Sequence, residues 1–229
     1  MLTKNLNDIF FLRKNISFVT RQVAATKINP LLPYPWRNNK TKFHGLLAEI
    51  LLQRTRAEQV VDVYKKICSK FKNSRCLSKA PLKDIQKIIA PLGLMWRSQK
   101  VKEMSAIIER DYAGKVPQNY DDLVLLPGVG DYAASAFLSL HCGKRAPLID
   151  SNIIRLLSRF FGFKTNPETR RNPRLKNLIE QITPNAEIKR FNYALLDISR
   201  QICSISPQCT ICPLKKKCCY HKKKGKLYV

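Results

Sequence analysis

From Phe43 nearly to the end of the chain, apolar residues return every three or four positions, and that spacing leaves little room for anything but helices. Leu46, Leu47, Ile50 and Leu51 form one such set, and Val60, Val63, Tyr64 and Ile67 another. Further helices are expected over 83–90, 99–112, 120–125, 131–141, 151–161, 174–182 and 187–203. Thr55 and Ser98 suit N-cap positions, and Pro81 suits a first turn. Strand signals are nearly absent. The turn-rich run Pro30-Leu-Leu-Pro-Tyr-Pro-Trp-Arg37 breaks any helix, and residues 1–30 read as an N-terminal arm with an apolar stretch at Ile9-Phe10-Phe11-Leu12. The expectation is an all-α protein of short helices and short loops. With 229 residues, 45% of them hydrophobic, the chain can fill one large domain or two small ones.

Charge narrows the partner. Forty-two Lys and Arg against sixteen Asp and Glu leave a formal charge of +26. Such a field favours a polyanion, above all nucleic acid, whose phosphates exchange condensed counterions for basic side chains. A ribosomal or chromatin-packing protein would share that charge. No apolar run reaches the ~18 residues that span a membrane, and the first twenty residues lack the small-residue cleavage site of a secretory signal. The chain is therefore expected in the cytoplasm, near the nucleoid and away from membranes.

Three local features carry chemistry. The first is Leu126-Pro127-Gly128-Val129-Gly130, set between two helical segments. Two glycines permit a tight hairpin, and the amides opening the next helix favour an anion such as a DNA phosphate. An ordinary glycine-rich helix connection has the same local pattern. The second is a pair of carboxylates in unexpected settings. Asp150, in Pro147-Leu-Ile-Asp-Ser-Asn-Ile-Ile-Arg155, suits a helix cap, and equally a fixed charge that stabilises oxocarbenium character on a sugar or steers water toward it. Glu49 lies within the apolar Leu46-Leu-Ala-Glu-Ile-Leu-Leu52. It suits either a structural pair with Arg54 or Arg56, or a desolvated acid that gives a proton to a departing base.

The third is a cysteine cluster. Cys203, Cys209, Cys212 and Cys218 are spaced C-x5-C-x2-C-x5-C, with Cys219 adjacent. Without an export signal, such compact spacing reads as metal ligation, by zinc or an iron–sulfur cluster, before disulfides or buried thiols. Cys68, Cys76 and Cys142 sit in apolar helical contexts and read as core residues.

Taken together, Glu49, the hairpin, Asp150 and the four cysteines resemble the helix-hairpin-helix DNA glycosylases of the endonuclease III branch, over about Leu32 to Cys218. The resemblance implies an all-α, two-domain fold: a six-helix barrel domain over 44–149, and an iron–sulfur domain from 1–43 with 150–229. It implies a [4Fe–4S] cluster on Cys203, Cys209, Cys212 and Cys218. The family has six residues between its first two cysteines where this chain has five, which keeps Cys219 open as a substitute ligand. It also implies a base flipped out of double-stranded DNA at a mismatch or lesion, by a protein acting as a monomer.

Within that branch, members that also cleave the strand carry a Schiff-base lysine at the position of Tyr132. A phenol forms no imine, so the resemblance implies a monofunctional, water-using glycosylase with Asp150 as its essential carboxylate. Asp131-Tyr132, Glu49-Ile-Leu-Leu-Gln-Arg54 and an end eleven residues after Cys218 look most like the mismatch-specific thymine/uracil glycosylases. On that likeness Tyr132 lines the base pocket and Glu49 hydrogen-bonds the base. Gln53 and Arg54 fill the vacated space and meet the opposing guanine, and Leu94 is the wedge or else a core residue. Trp36 and Trp96 read as structural or DNA-flanking. An adenine-DNA glycosylase of the same branch and a non-catalytic DNA-binding protein with this fold are the alternatives.

Overall fold

In a computed structural model of the chain, residues 9–26, 34–39, 41–93 and 95–225 are described. Every regular element among those residues is helical, with no strand among them, as the three- and four-residue spacing predicts. No described helix is long and apolar enough to cross a membrane. The chain divides into two compact units, Pro30–Cys142 and Met1–Asn29 with Gly143–Val229. Leu94, the expected wedge, lies outside the described residues.

The unit Pro30–Cys142 is built around α2 (Lys42–Leu51), whose residues from Phe43 onward are all buried. Thr41 starts this helix by accepting the His44 amide, a cap that contributes about 1 kcal/mol. Against it lie α3 (Ala57–Lys70), α6 (Trp96–Asp111) and α8 (Asp131–Ala136), while α4 (Ser74–Lys79) and α5 (Leu82–Ile89) pack on α6, and α7 (Tyr120–Val124) on α8. Leu46, Ile50, Val60, Ile67, Leu77, Ile85, Val101, Ile108 and Phe137 are fully enclosed, each worth roughly 1.5–3 kcal/mol of transfer free energy before entropy is counted. The last turn of α8 opens into a π-helical segment, Phe137–His141, closed by the Cys142 amide on the Phe137 carbonyl at 3.2 Å.

The second unit joins α1 (Ile9–Ala25) to α9 (Ser151–Phe161), α10 (Pro173–Ile182), α11 (Ile188–Asp197) and α12 (Cys219–Gly225). Ile153, Leu156, Leu157 and Phe160 make the buried stripe of α9, and Phe18 of α1 stacks on Phe160 at 6.3 Å. Gly162 ends α9 in the left-handed region at φ 81°, where a side chain would be strained. A π-helical segment, Ile198–Ile202, follows α11.

Several local expectations are corrected. Within the N-terminal arm, Ile9–Ala25 form a helix, because Ile16, Val19 and Val23 recur at helical spacing and bury one face. Thr55 caps nothing: it is the acceptor of a buried arginine, and Arg56 stands at the N-cap of α3. Ser98 is inside α6 and buried, and Pro81 is the N-cap residue of α5. Cys76 is exposed, because short α4 turns Ser74 and Leu77 inward instead.

Candidate active site and nucleic-acid interface

The hairpin begins at α7, capped by Asn119 on the Asp122 amide, and turns through Leu126-Pro127-Gly128-Val129-Gly130 into α8. Gly128 adopts φ 84°, and a Cβ there would also stand 3.2 Å from the Lys100 Cβ. Gly130 differs. Its φ of −93° suits any residue, and nothing lies within 4 Å of where its Cβ would be. That open space lies beside the first turn of α8, where helix amides have no acceptor within the helix itself. Leu125, at the tip, is 74% exposed. Asp131 opens α8 and accepts the Tyr120 hydroxyl at 2.9 Å, while Tyr132 is half-buried on the next position.

Gln53 and Arg54 follow α2 directly. Gln53 donates its amide to the Gly128 carbonyl at 2.8 Å, so this turn and the hairpin are tied together. Arg54 is exposed and sits at φ 54°, a left-handed conformation that a long side chain adopts only when its surroundings impose it. Those surroundings include Arg97, which is fully buried. Its guanidinium donates to the Leu51 carbonyl at 2.9 Å, to the Gln53 carbonyl, and to Thr55 Oγ1 at 2.7 Å. A cation thus closes the C-terminal end of α2, where helix carbonyls lack partners. Burial lowers the Arg97 pKa.

Glu49 is buried in α2, and its partner is neither Arg54 nor Arg56. Both arginines are exposed, and Glu49 Oε1 instead meets His141 Nε2 at 2.8 Å. Both side chains are shut off from solvent, at 4% and 0% exposure.

Asp150 caps α9, accepting the Ile153 amide at 2.7 Å on Oδ1. Its Oδ2 accepts from Asn152 Nδ2 at 3.2 Å and faces Arg200 at 3.6 Å. Capping therefore coexists with a fixed, partly exposed carboxylate. His141 and Arg200, which meet Glu49 and Asp150 respectively, both come from π-helical segments, a widening of the helix that re-aims side chains and recurs at functional sites.

Cys203, Cys209, Cys212 and Cys218 line one apolar cavity with Leu156, Phe160 and Leu214. Cys219 packs elsewhere, its Cβ only 3.3 Å from where a Cβ on Gly162 would be. Two arginines of α9 bind the loop's carbonyls. Arg155 donates to Ser199 and Cys203, both at 2.9 Å, and Arg159 to Ser204 at 2.6 Å and Ile205 at 3.1 Å. Burial above all, opposed by a hydrogen bond from the Leu214 backbone and aided by the neighbouring Cys203, Cys218 and Cys209, pushes the Cys212 thiol up to about 11. Among the described residues, no three His, Cys, Asp or Glu side chains converge on one metal ion.

Sequence reasoning missed His141, Arg97, Arg155, Arg159 and Arg200. One signal for the first was available: a glycine, Gly45, inside an apolar helix one turn before Glu49, which marks a close approach by something else. Trp36 is buried against Tyr34 and Tyr64, and Trp96 is 44% exposed.

Residues 47–181 match the family model of HhH-GPD superfamily base excision DNA repair proteins. A thymine/uracil-DNA glycosylase of Pyrobaculum aerophilum is 38% identical over 192 residues, 81% of this chain and 83% of that protein. An adenine DNA glycosylase of Buchnera aphidicola from Acyrthosiphon pisum is 36% identical over 186 residues, 80% of this chain but 53% of that protein. A solved structure of a thermostable thymine-DNA glycosylase superposes with a TM-score of 0.82 at 32% identity, covering 93% of this chain and 98% of the other. The chain belongs to the HhH-GPD superfamily of base excision DNA repair proteins.

Proposed function

We propose that this chain is a monofunctional DNA glycosylase that removes thymine or uracil mispaired with guanine. The observation that carries the substrate class is Tyr132, on the second residue of α8, in a chain that aligns with 83% of a thymine/uracil-DNA glycosylase. A phenol there forms no imine with the sugar.

In this reading the hairpin amides and Gly130 hold a phosphate, while Gln53 and Arg54 occupy the place of the extruded base and meet guanine. Tyr132 packs on the flipped pyrimidine and Glu49 hydrogen-bonds it. As the bond from C1′ to the base nitrogen breaks, its electron pair leaves with the base. Asp150 stabilises the positive charge left on the sugar and takes the proton of the water that adds to C1′. The base anion takes up a proton from solvent and is released, and Asp150 gives the proton it took back to solvent, leaving an intact strand with an abasic site. Action as a monomer on chromosomal DNA completes the proposal.

The four cysteines around one cavity fit a [4Fe–4S] cluster. In such a cluster each thiolate binds a different iron, so the ligands ring a space and do not crowd one ion. Cys203, Cys209, Cys212 and Cys218 would hold it, and the bound cluster would pin the loop that Arg155 and Arg159 already anchor.

The adenine-DNA glycosylase relative at 36% identity supports a second reading. Duplexes carrying G·T, G·U, A·G and A·8-oxoguanine, with the released base identified by chromatography, separate the two. Free thymine and uracil are expected, and release of adenine alone overturns the proposal.

A further inference from the structure

Glu49 does not stand by itself in α2; it ends a chain of hydrogen bonds. Asn39 Nδ2 donates to the Thr41 carbonyl at 3.2 Å and lies 3.1 Å from His141 Nδ1. A carbonyl only accepts, so the Thr41 contact turns the nitrogen of the Asn39 amide inward and gives His141 a donor at Nδ1. Nδ1 is then the unprotonated acceptor, and the neutral ring carries its hydrogen on Nε2, which donates to Glu49 Oε1 at 2.8 Å. The other carboxylate oxygen, Oε2, has no hydrogen-bond partner among the described residues.

Two features of the chain make room for this arrangement. Gly45 lies one turn before Glu49 on the same face of α2. A Cβ there would collide with Asn39 Nδ2 and stand 2.7 Å from the His141 ring. A glycine inside a helix costs about 1 kcal/mol relative to alanine, and here the missing methyl is the space the imidazole fills. The π-helical segment Phe137–His141 supplies the other half, adding a residue to the turn and aiming His141 back at α2.

We propose that His141, oriented by Asn39, is a positioning residue for the chemical step. It fixes the tautomer facing Glu49 and takes one carboxylate oxygen, leaving the second in one direction for the flipped base. This rests on the role given to Glu49 above. The effect belongs to the rate of bond breaking, and DNA affinity is untouched.

A double-mutant cycle under single-turnover conditions on a G·T duplex tests it, with binding to an uncleavable abasic-analogue duplex and thermal melting measured alongside. His141→Leu is expected to slow excision roughly 10- to 100-fold, the scale of a misplaced catalytic group, with unchanged duplex affinity. His141→Gln, whose amide nitrogen reaches the place of Nε2, is expected to recover most of the rate. In a Glu49→Gln background, His141→Leu is expected to cost less than about twofold, because the group it positions is already gone. Equal loss from His141→Leu in both backgrounds overturns the inference, as does a Gln variant that melts like wild type yet is as slow as Leu. A Glu49→Gln protein that excises at the wild-type rate instead overturns the role of Glu49 itself, a separate and recognisable failure.

Discussion

Replacing Arg97 with methionine removes a cation that the fold encloses completely and uses to close α2. The guanidinium serves the Leu51 and Gln53 carbonyls and Thr55 Oγ1, and its Nε has no hydrogen-bond partner among the described residues. Hydrogen bonds to a charged group are worth about 1.5–3 kcal/mol each. Against them stands the several kcal/mol needed to strip a guanidinium of water, visible in the lowered Arg97 pKa. Methionine fills much of the volume but leaves the acceptors dry, so a net loss of about 3–5 kcal/mol is expected. For a chain of this length that lowers the melting temperature by about 10 °C. Arg97→Lys keeps the charge but not the planar fork, and should fall between the two. Circular dichroism during urea and thermal unfolding measures the loss. Because the same clamp shapes the turn bearing Gln53 and Arg54, Arg97→Met should also narrow the difference in excision between G·T and A·T duplexes at a temperature where it is folded. A variant within about 1 kcal/mol of wild type would refute the reasoning, since it would mean that the buried acceptors never needed the cation.

Other perturbations read other parts of the account. Gly128→Ala forces a methyl into φ 84° against Lys100 and should cost about 1–2 kcal/mol in unfolding free energy. Gly130→Ala should melt like wild type yet bind duplex DNA more weakly by fluorescence anisotropy, because the space it fills is the one assigned to a phosphate; unchanged binding contradicts that assignment. Burial pushes the Cys68 thiol up to about 11, so it is mostly protonated at pH 8 and gains thiolate only as pH rises toward that value. Iodoacetamide at pH 8 should therefore modify exposed Cys76 well before Cys68, as read by peptide mass spectrometry, and the reverse order contradicts it. Anaerobically purified protein should be brown with a broad visible band, lost in Cys212→Ser and kept in Cys219→Ser; the opposite pattern would exchange the ligand assignments.

Legibility in the sequence followed the range of each interaction. Helix α9 was readable to its ends because Ile153, Leu156, Leu157 and Phe160 repeat at helical spacing between a capping Asp150 and a terminating Gly162, all local signals. The run 187–203 read as one helix because spacing cannot register a single residue added to a turn, yet α11 ends at Asp197 and widens into Ile198–Ile202. Helix α1 was hidden because basic residues on its solvent face mask the stripe of Ile16, Val19 and Val23. Glu49 was conspicuous for its apolar neighbours, but its partner lies 92 residues away, and the nearby arginines drew the expectation instead. Nothing local distinguishes Arg97 from the many surface cations of this chain, since its acceptors lie 42 to 46 positions earlier.

Asp150 is proposed to support hydrolytic loss of a mispaired pyrimidine. Single-turnover release of thymine from a G·T duplex, by wild type and Asp150→Asn side by side, tests it most directly, with borohydride present in a parallel reaction. Wild type should free thymine, leave the strand intact until alkali is added, and trap no covalent adduct. Asp150→Asn should be slower by about 10²–10³-fold or more. Equal rates from the two proteins, or a trapped wild-type adduct, would contradict the account.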